Sequence, residues 1–167
     1  MRRRAMVAGL VAAAAVATAG AASGPIVFGP ASAHVHGDER GFAAGEPGDP
    51  KKPSRTVEIL MTDGPGTMAY TPDRLEVKRG EQIRFVLKNV GTVDHEFLID
   101  SFANNAKHKK EMAERPDMAH TEPNGARLMP NATAEIVWRF TKAGTFEFAC
   151  LIPGHYETGM KGTFVVK

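Results

Sequence analysis

"GTFEFACLIPGHYETGMKGTFVVK", residues 144–167, contains the single cysteine of the chain, with a histidine five residues after it and a methionine ten after it. Its two ends read as β-strands. In GTFEFACL (144–151) Phe146, Phe148 and Cys150 fall on one face, and GTFVVK (162–167) forms the last strand. Between them Pro153-Gly154 reverses the chain, His155 sits on the turn, and Glu157 to Gly159 leads on to Met160. Taken singly, each residue has an ordinary explanation: a small buried hydrophobe, a solvated turn residue and a core methionine. Together they bring a thiolate, an imidazole and a thioether to one loop.

Upstream the same β texture recurs. TVEILMT (56–62) and RLEVKRGEQIRFVLKNVG (74–91) read as strands, the second turning at Arg79-Gly80-Glu81, with Ile83, Phe85 and Leu87 alternating as a half-buried strand requires. DHEFLI (94–99) places His95, Phe97 and Ile99 on one side. In TAEIVWRF (133–140) Ala134, Ile136, Trp138 and Phe140 share a face, and Lys142-Ala143-Gly144 turns the chain into the next strand. Short strands, turn signals and the lack of a long helical pattern predict an all-β fold, a Greek-key β-sandwich over 56–167. The exception is 101–132, a long irregular insertion before the last strands, longer than a routine connection. Within it AKHKKEMAERPDMAH reads as a short helix that breaks at Pro116.

The first 55 residues differ. MRRR, an Ala-rich apolar run from Ala5 to Ala22 and the Ala31-Ser32-Ala33 exit predict an export signal over 1–33. The run is weakly hydrophobic and makes a poor membrane span. Residues 34–55, rich in Gly, Pro and charge, are expected to form a flexible tail. The leader carries three basic residues and no acidic one, so its removal takes the basic count from 21 to 18 against 19 acidic. A mature chain near neutrality gives no electrostatic reason to expect nucleic-acid binding. A lone cysteine in an exported protein forms no internal disulfide, so it is buried, paired with another chain, or used.

A trigonal His₂Cys copper site with a weak axial methionine needs one further imidazole beside this loop. DHEF supplies it, since His95 opens a separate strand above Phe97. Zinc also accepts a Cys-His-His set but prefers a harder or thiolate fourth ligand to a methionine. At this point the sequence resembles the cupredoxins, the blue-copper proteins: DHEF, then C-x4-H-x4-M and a glycine-initiated last strand, over Thr56 to Lys167. The resemblance implies a type 1 copper held by His95, Cys150, His155 and axial Met160. With one cysteine, a dinuclear centre that needs a second bridging cysteine is excluded. Many cupredoxins carry an asparagine after the first histidine to tie the ligand loops together, and here Glu96 stands in that place.

Cleavage after Ala33 would expose His34-Val35-His36, whose terminal amine, two amide nitrogens and His36 imidazole suit square-planar Cu(II), with His34 adding a further imidazole. In the insertion His108 and Met112 share a helix face, and Met118 and His120 follow. These features are similar to the periplasmic copper-tolerance cupredoxins of proteobacteria. The resulting expectation is a periplasmic, monomeric copper-binding protein of copper tolerance that binds and redox-cycles copper, with no membrane attachment once the leader is removed. The alternative is a dedicated one-electron carrier serving a cytochrome or copper oxidase. Cuprous oxidation is the one enzymatic role in view. A multicopper oxidase or nitrite reductase would need further domains that about 112 residues do not provide.

Overall fold

The computed structural model describes residues 41–115 and 122–167. The leader, His34, His36, Met118 and His120 lie outside them.

The described residues form ten strands and one helix. In order they are β1 (Glu46–Pro47), β2 (Arg55–Gly64), β3 (Thr67–Thr71), β4 (Arg74–Val77), β5 (Gln82–Asn89), β6 (His95–Asp100), α1 (Phe102–Glu114), β7 (Gly125–Leu128), β8 (Thr133–Arg139), β9 (Gly144–Ala149) and β10 (Lys161–Val166). One five-stranded sheet has the order β1-β8-β5-β2-β3, the other β4-β10-β9-β6-β7. Pairing is antiparallel except for β2 with β5 and β4 with β10. The fold is the all-β sandwich expected.

The alternating patterns of the strands dictate how the sheets face each other. Along β5 every second residue is buried, giving an inward stripe of Ile83, Phe85, Leu87 and Asn89. Ile136 and Trp138 of β8 join it, and the other sheet answers with Phe97, Ile99, Phe146, Phe148, Phe164 and Val166. The rings of Phe148 and Phe164 lie 4.7 Å apart, those of Phe140 and Phe164 4.9 Å and those of Phe97 and Phe148 5.2 Å. Each is a tilted contact of the kind that aromatic quadrupoles favour.

Strands β6 and β9 are buried on both faces, which a two-layer sandwich alone does not produce. The second covering is α1. Met112 packs with Leu98, Ala149, Leu151 and Tyr156 on the outer side of the β6–β9 pair. The insertion 101–132 is therefore more ordered than an irregular connection. Ser101 caps α1 by accepting from Asn104 N at 3.1 Å, and Asp100 Oδ1 accepts from Ser101 N at 2.7 Å. Further along, β7 pairs with β6, and Leu128 lies opposite His95.

The expected tail is also shorter where it is described. Ala44 is fully buried, Phe42 meets Trp138 edge-on at 5.2 Å, and Glu46 and Pro47 pair with Arg139 and Trp138 of β8. The packed domain thus begins before Thr56. Its sequence hid this, because three apolar residues in a row among Gly and Pro carry no strand period.

Gly162 marks a tight approach of β10 to its neighbours. A Cβ there would overlap the Phe148 ring edge and lie 2.5 Å from the Asp73 carbonyl. Gly162→Ala should destabilise the fold by about 1–3 kcal/mol through overpacking. Urea unfolding should show a lower midpoint with unchanged slope.

Candidate metal centre

The loop after β9 is built from backbone turns. Cys150 N donates to Met160 O at 3.1 Å, closing the loop where β9 and β10 begin to pair. Inside it His155 N donates to Ile152 O at 3.0 Å and Met160 N to His155 O at 3.2 Å. Gly154 (φ +90°) and Gly159 (φ +107°) supply conformations that side-chain-bearing residues rarely adopt. The result places His155 back over Cys150, with Sγ 3.3 Å from His155 Nδ1.

His95 arrives from β6. One donor atom each from His95, Cys150 and His155 lies within 4.8 Å of the others, and the two imidazole rings sit 5.3 Å apart. His95 and Cys150 are fully buried, whereas His155 is partly exposed. Met160 is fully buried in the main core, its carbonyl bound to the Cys150 amide.

The donors suit a soft or borderline cation. His95 Nδ1 is buried with no hydrogen-bond partner. Such an orphan costs about 1–3 kcal/mol, and a metal bond would remove that cost. Burial pushes the Cys150 thiol up to about 12, even though the backbone N–H groups of Glu96 and Ile152 favour the thiolate. A cation would displace that proton, so loading is coupled to proton release. The His155 imidazole is held below its usual value, first by burial and then by His95 nearby, so it stays neutral and able to donate a lone pair. Two imidazoles and a thiolate in a buried pocket, with Met160 joined by backbone hydrogen bonds to Cys150 and His155, fit copper.

The inter-loop tie left open by Glu96 is present in another form. Glu96 N donates to Cys150 Sγ at 3.3 Å, while its carboxylate Oε2 accepts from Leu151 N at 3.1 Å. Its own carbonyl accepts from the buried Tyr70 hydroxyl. One residue thereby binds the His95 strand to the Cys150 loop through both backbone and side chain. Burial raises the Glu96 carboxyl above its ordinary value, and the Leu151 amide opposes that.

Other residues at the site carry no metal-ligand signature in the sequence. Asn89, the last inward position of β5, donates from Nδ2 to Val93 O at 2.8 Å and Leu128 O at 3.0 Å, and accepts from Gly91 N at 2.9 Å. It shapes the turn that delivers His95, and the Asn-x-Gly pattern before it was the available clue. Asp63 Oδ1 lies 3.0 Å from His95 Nε2. Of the insertion's candidate ligands, Met112 lies in the apolar cluster under α1. His108 is on the same helix, with Nδ1 3.9 Å from Glu111. The helix is instead fastened to the ligand loop: Asn105 and the Tyr156 hydroxyl both donate to buried Glu147, at 3.0 and 2.9 Å, and Lys109 pairs with Glu157 at 2.8 Å.

Removing the Glu96 carboxylate leaves the Leu151 amide unmatched. Glu96→Ala should lower stability of the metal-free protein by about 1–3 kcal/mol. Chemical denaturation of the metal-free form measures this directly.

Comparison with known proteins points to a copper-binding family. Residues 57–167 match the family described as copper binding proteins, plastocyanin/azurin family. The copper-resistant cuproprotein CopI of Rubrivivax gelatinosus is 47% identical over 137 residues, covering 82% of this chain and 80% of its own length. The protein of that name in Pseudomonas aeruginosa is 36% identical, with 76% and 84% covered. Among solved structures, the reduced auracyanin of Roseiflexus castenholzii superposes with a TM-score of 0.56 at 25% identity, covering 70% of this chain and 99% of that one. The chain binds copper and belongs to the plastocyanin/azurin family of copper binding proteins.

Proposed function

We propose that His95, Cys150, His155 and Met160 hold one type 1 copper ion, and that the protein contributes to copper tolerance in the periplasm by binding and redox-cycling copper. The observation that carries this reading is the convergence of His95, Cys150 and His155 within 4.8 Å, with a buried imidazole nitrogen that has no other partner. Copper, once bound, supplies one-electron chemistry between Cu(I) and Cu(II). The protein's part is to hold two imidazoles and a thiolate in a fixed pocket, so that little has to move between the two states. Met160, on the buried side of the loop, is the axial ligand in this reading. The names of the CopI relatives support the tolerance role, and the leader-like first 33 residues support export. Among the described residues no helix is long and apolar enough to cross a membrane.

The partial exposure of His155, beside Ile152 and Tyr156, favours a second reading, electron carriage. In it, electrons leave through the His155 imidazole to a cytochrome or copper oxidase, and the protein acts as a monomer. The two readings differ in the cell. Loss of a tolerance protein makes the organism copper-sensitive, whereas loss of a carrier slows respiration at ordinary copper.

Cu(II) titration of the mature protein, following visible absorption and bound copper together, tests the site. Colour should saturate at one equivalent. Pale copper bound beyond that point would come from a separate locus such as His34/His36. Cys150→Ser should abolish the colour, because the absorption needs the sulfur. Met160→Leu should retain copper and raise its potential, as removing a weak axial donor disfavours Cu(II).

A further inference from the structure

We propose that Asp63 is the positioning residue of the His95 ligand: its carboxylate holds the Nε2 proton, leaves Nδ1 as the donor atom, and favours Cu(II) over Cu(I). This rests on the copper reading above and assigns the control of that site to a residue far from the ligand motif.

His95 is fully buried, so each of its ring nitrogens must find a partner within the protein or its cofactor. Nε2 faces Asp63 Oδ1 at 3.0 Å, and Nδ1 faces no protein partner. An ionised carboxylate only accepts hydrogen bonds, so the shared proton sits on Nε2 and the lone pair on Nδ1. The Asp63 carboxylate is oriented as an acceptor by its neighbours. The Thr92 hydroxyl donates to Oδ2 and the Thr92 amide to Oδ1, both at 2.7 Å.

The contact spans the sandwich. Asp63 lies near the end of β2 in one sheet, and His95 opens β6 in the other. Room for it comes from Gly91. A Cβ there would overlap Asp63 Oδ1 and come within 2.9 Å of His95 Nε2. The turn 89–94 is thus shaped by Asn89 on one side and left without a side chain at the point where carboxylate meets imidazole. With an Asp63 side chain only 11% exposed, water competes weakly for this bond. A carboxylate behind a ligating imidazole raises its basicity, and loss of such a partner typically costs about 10–100-fold in metal affinity.

The test combines two variants and two readouts. In ¹⁵N NMR of the metal-free protein, His95 should be the Nε2–H tautomer, and Asp63→Ala should lose that preference. Asp63→Asn keeps the shape and removes the charge. In the copper-loaded protein it should weaken Cu(II) about 10–100-fold with a smaller effect on Cu(I). Each tenfold change in that ratio raises the potential by about 59 mV. Gly91→Ala should move the potential in the same direction by displacing the carboxylate. An Nδ1–H tautomer in the wild type, or an unchanged potential in coloured Asp63→Asn, would overturn the proposal and leave Asp63 as a cap for Thr92 alone. A wild-type protein that takes up no coloured copper would overturn the copper reading itself, and the effect on potential with it.

Discussion

The bond from Cys150 N to Met160 O is the constraint on which the site depends. It joins the first residue beyond β9 to the residue before β10, so the loop leaves and re-enters the sheet in register. Cys150 continues the inward stripe of Phe146 and Phe148, which puts sulfur at the end of the aromatic core. His155 then has five residues to turn back over that sulfur, and the hydrogen bonds of Ile152 and Met160 hold it there. The second imidazole comes from β6, a strand fixed on one side by β7 and on the other by β9 itself. Two rigid supports meeting at one point is the geometry that a preorganised metal site requires.

The insertion gives this domain its individual character. A sandwich needs cover on one face of each sheet, yet β6 and β9 are covered on both. Helix α1 shields the outer face of the strands that carry His95 and Cys150, and it reaches the ligand loop through Tyr156. That ring lies beneath two ammonium groups, Lys109 at 4.5 Å and Lys161 at 4.3 Å, while its hydroxyl binds Glu147. A buried carboxylate is tolerable only where hydrogen bonds replace its water, and Glu147 receives one on each oxygen. The helix therefore acts on the loop by packing and hydrogen bonds, with its side chains already engaged in structure.

Much of this could be read from residue patterns. Alternation in IRFVLKN and TFEFAC gave the strands, and the C-x4-H-x4-M spacing gave the loop. What escaped depends on contacts between distant segments. Asp63 sits in an ordinary Thr-Asp-Gly stretch, and its value lies in meeting a histidine 32 residues later. Asn89 is the last residue of β5 and its final inward position, and its bonds to Val93 and Leu128 exist only once distant segments meet. Glu96 stood out as a departure, but its reach to the Leu151 amide follows from how β6 and β9 pair. Residues 42–47 carry no period because a two-residue edge strand is too short to show one.

X-ray absorption at the copper edge of the loaded protein tests the central claim most directly. Copper should be bound by one short sulfur and two imidazole nitrogens, with the short sulfur absent in Cys150→Ser. A shell of nitrogen and oxygen alone in the wild type would contradict it, because copper would then be bound away from the His95, Cys150 and His155 cluster.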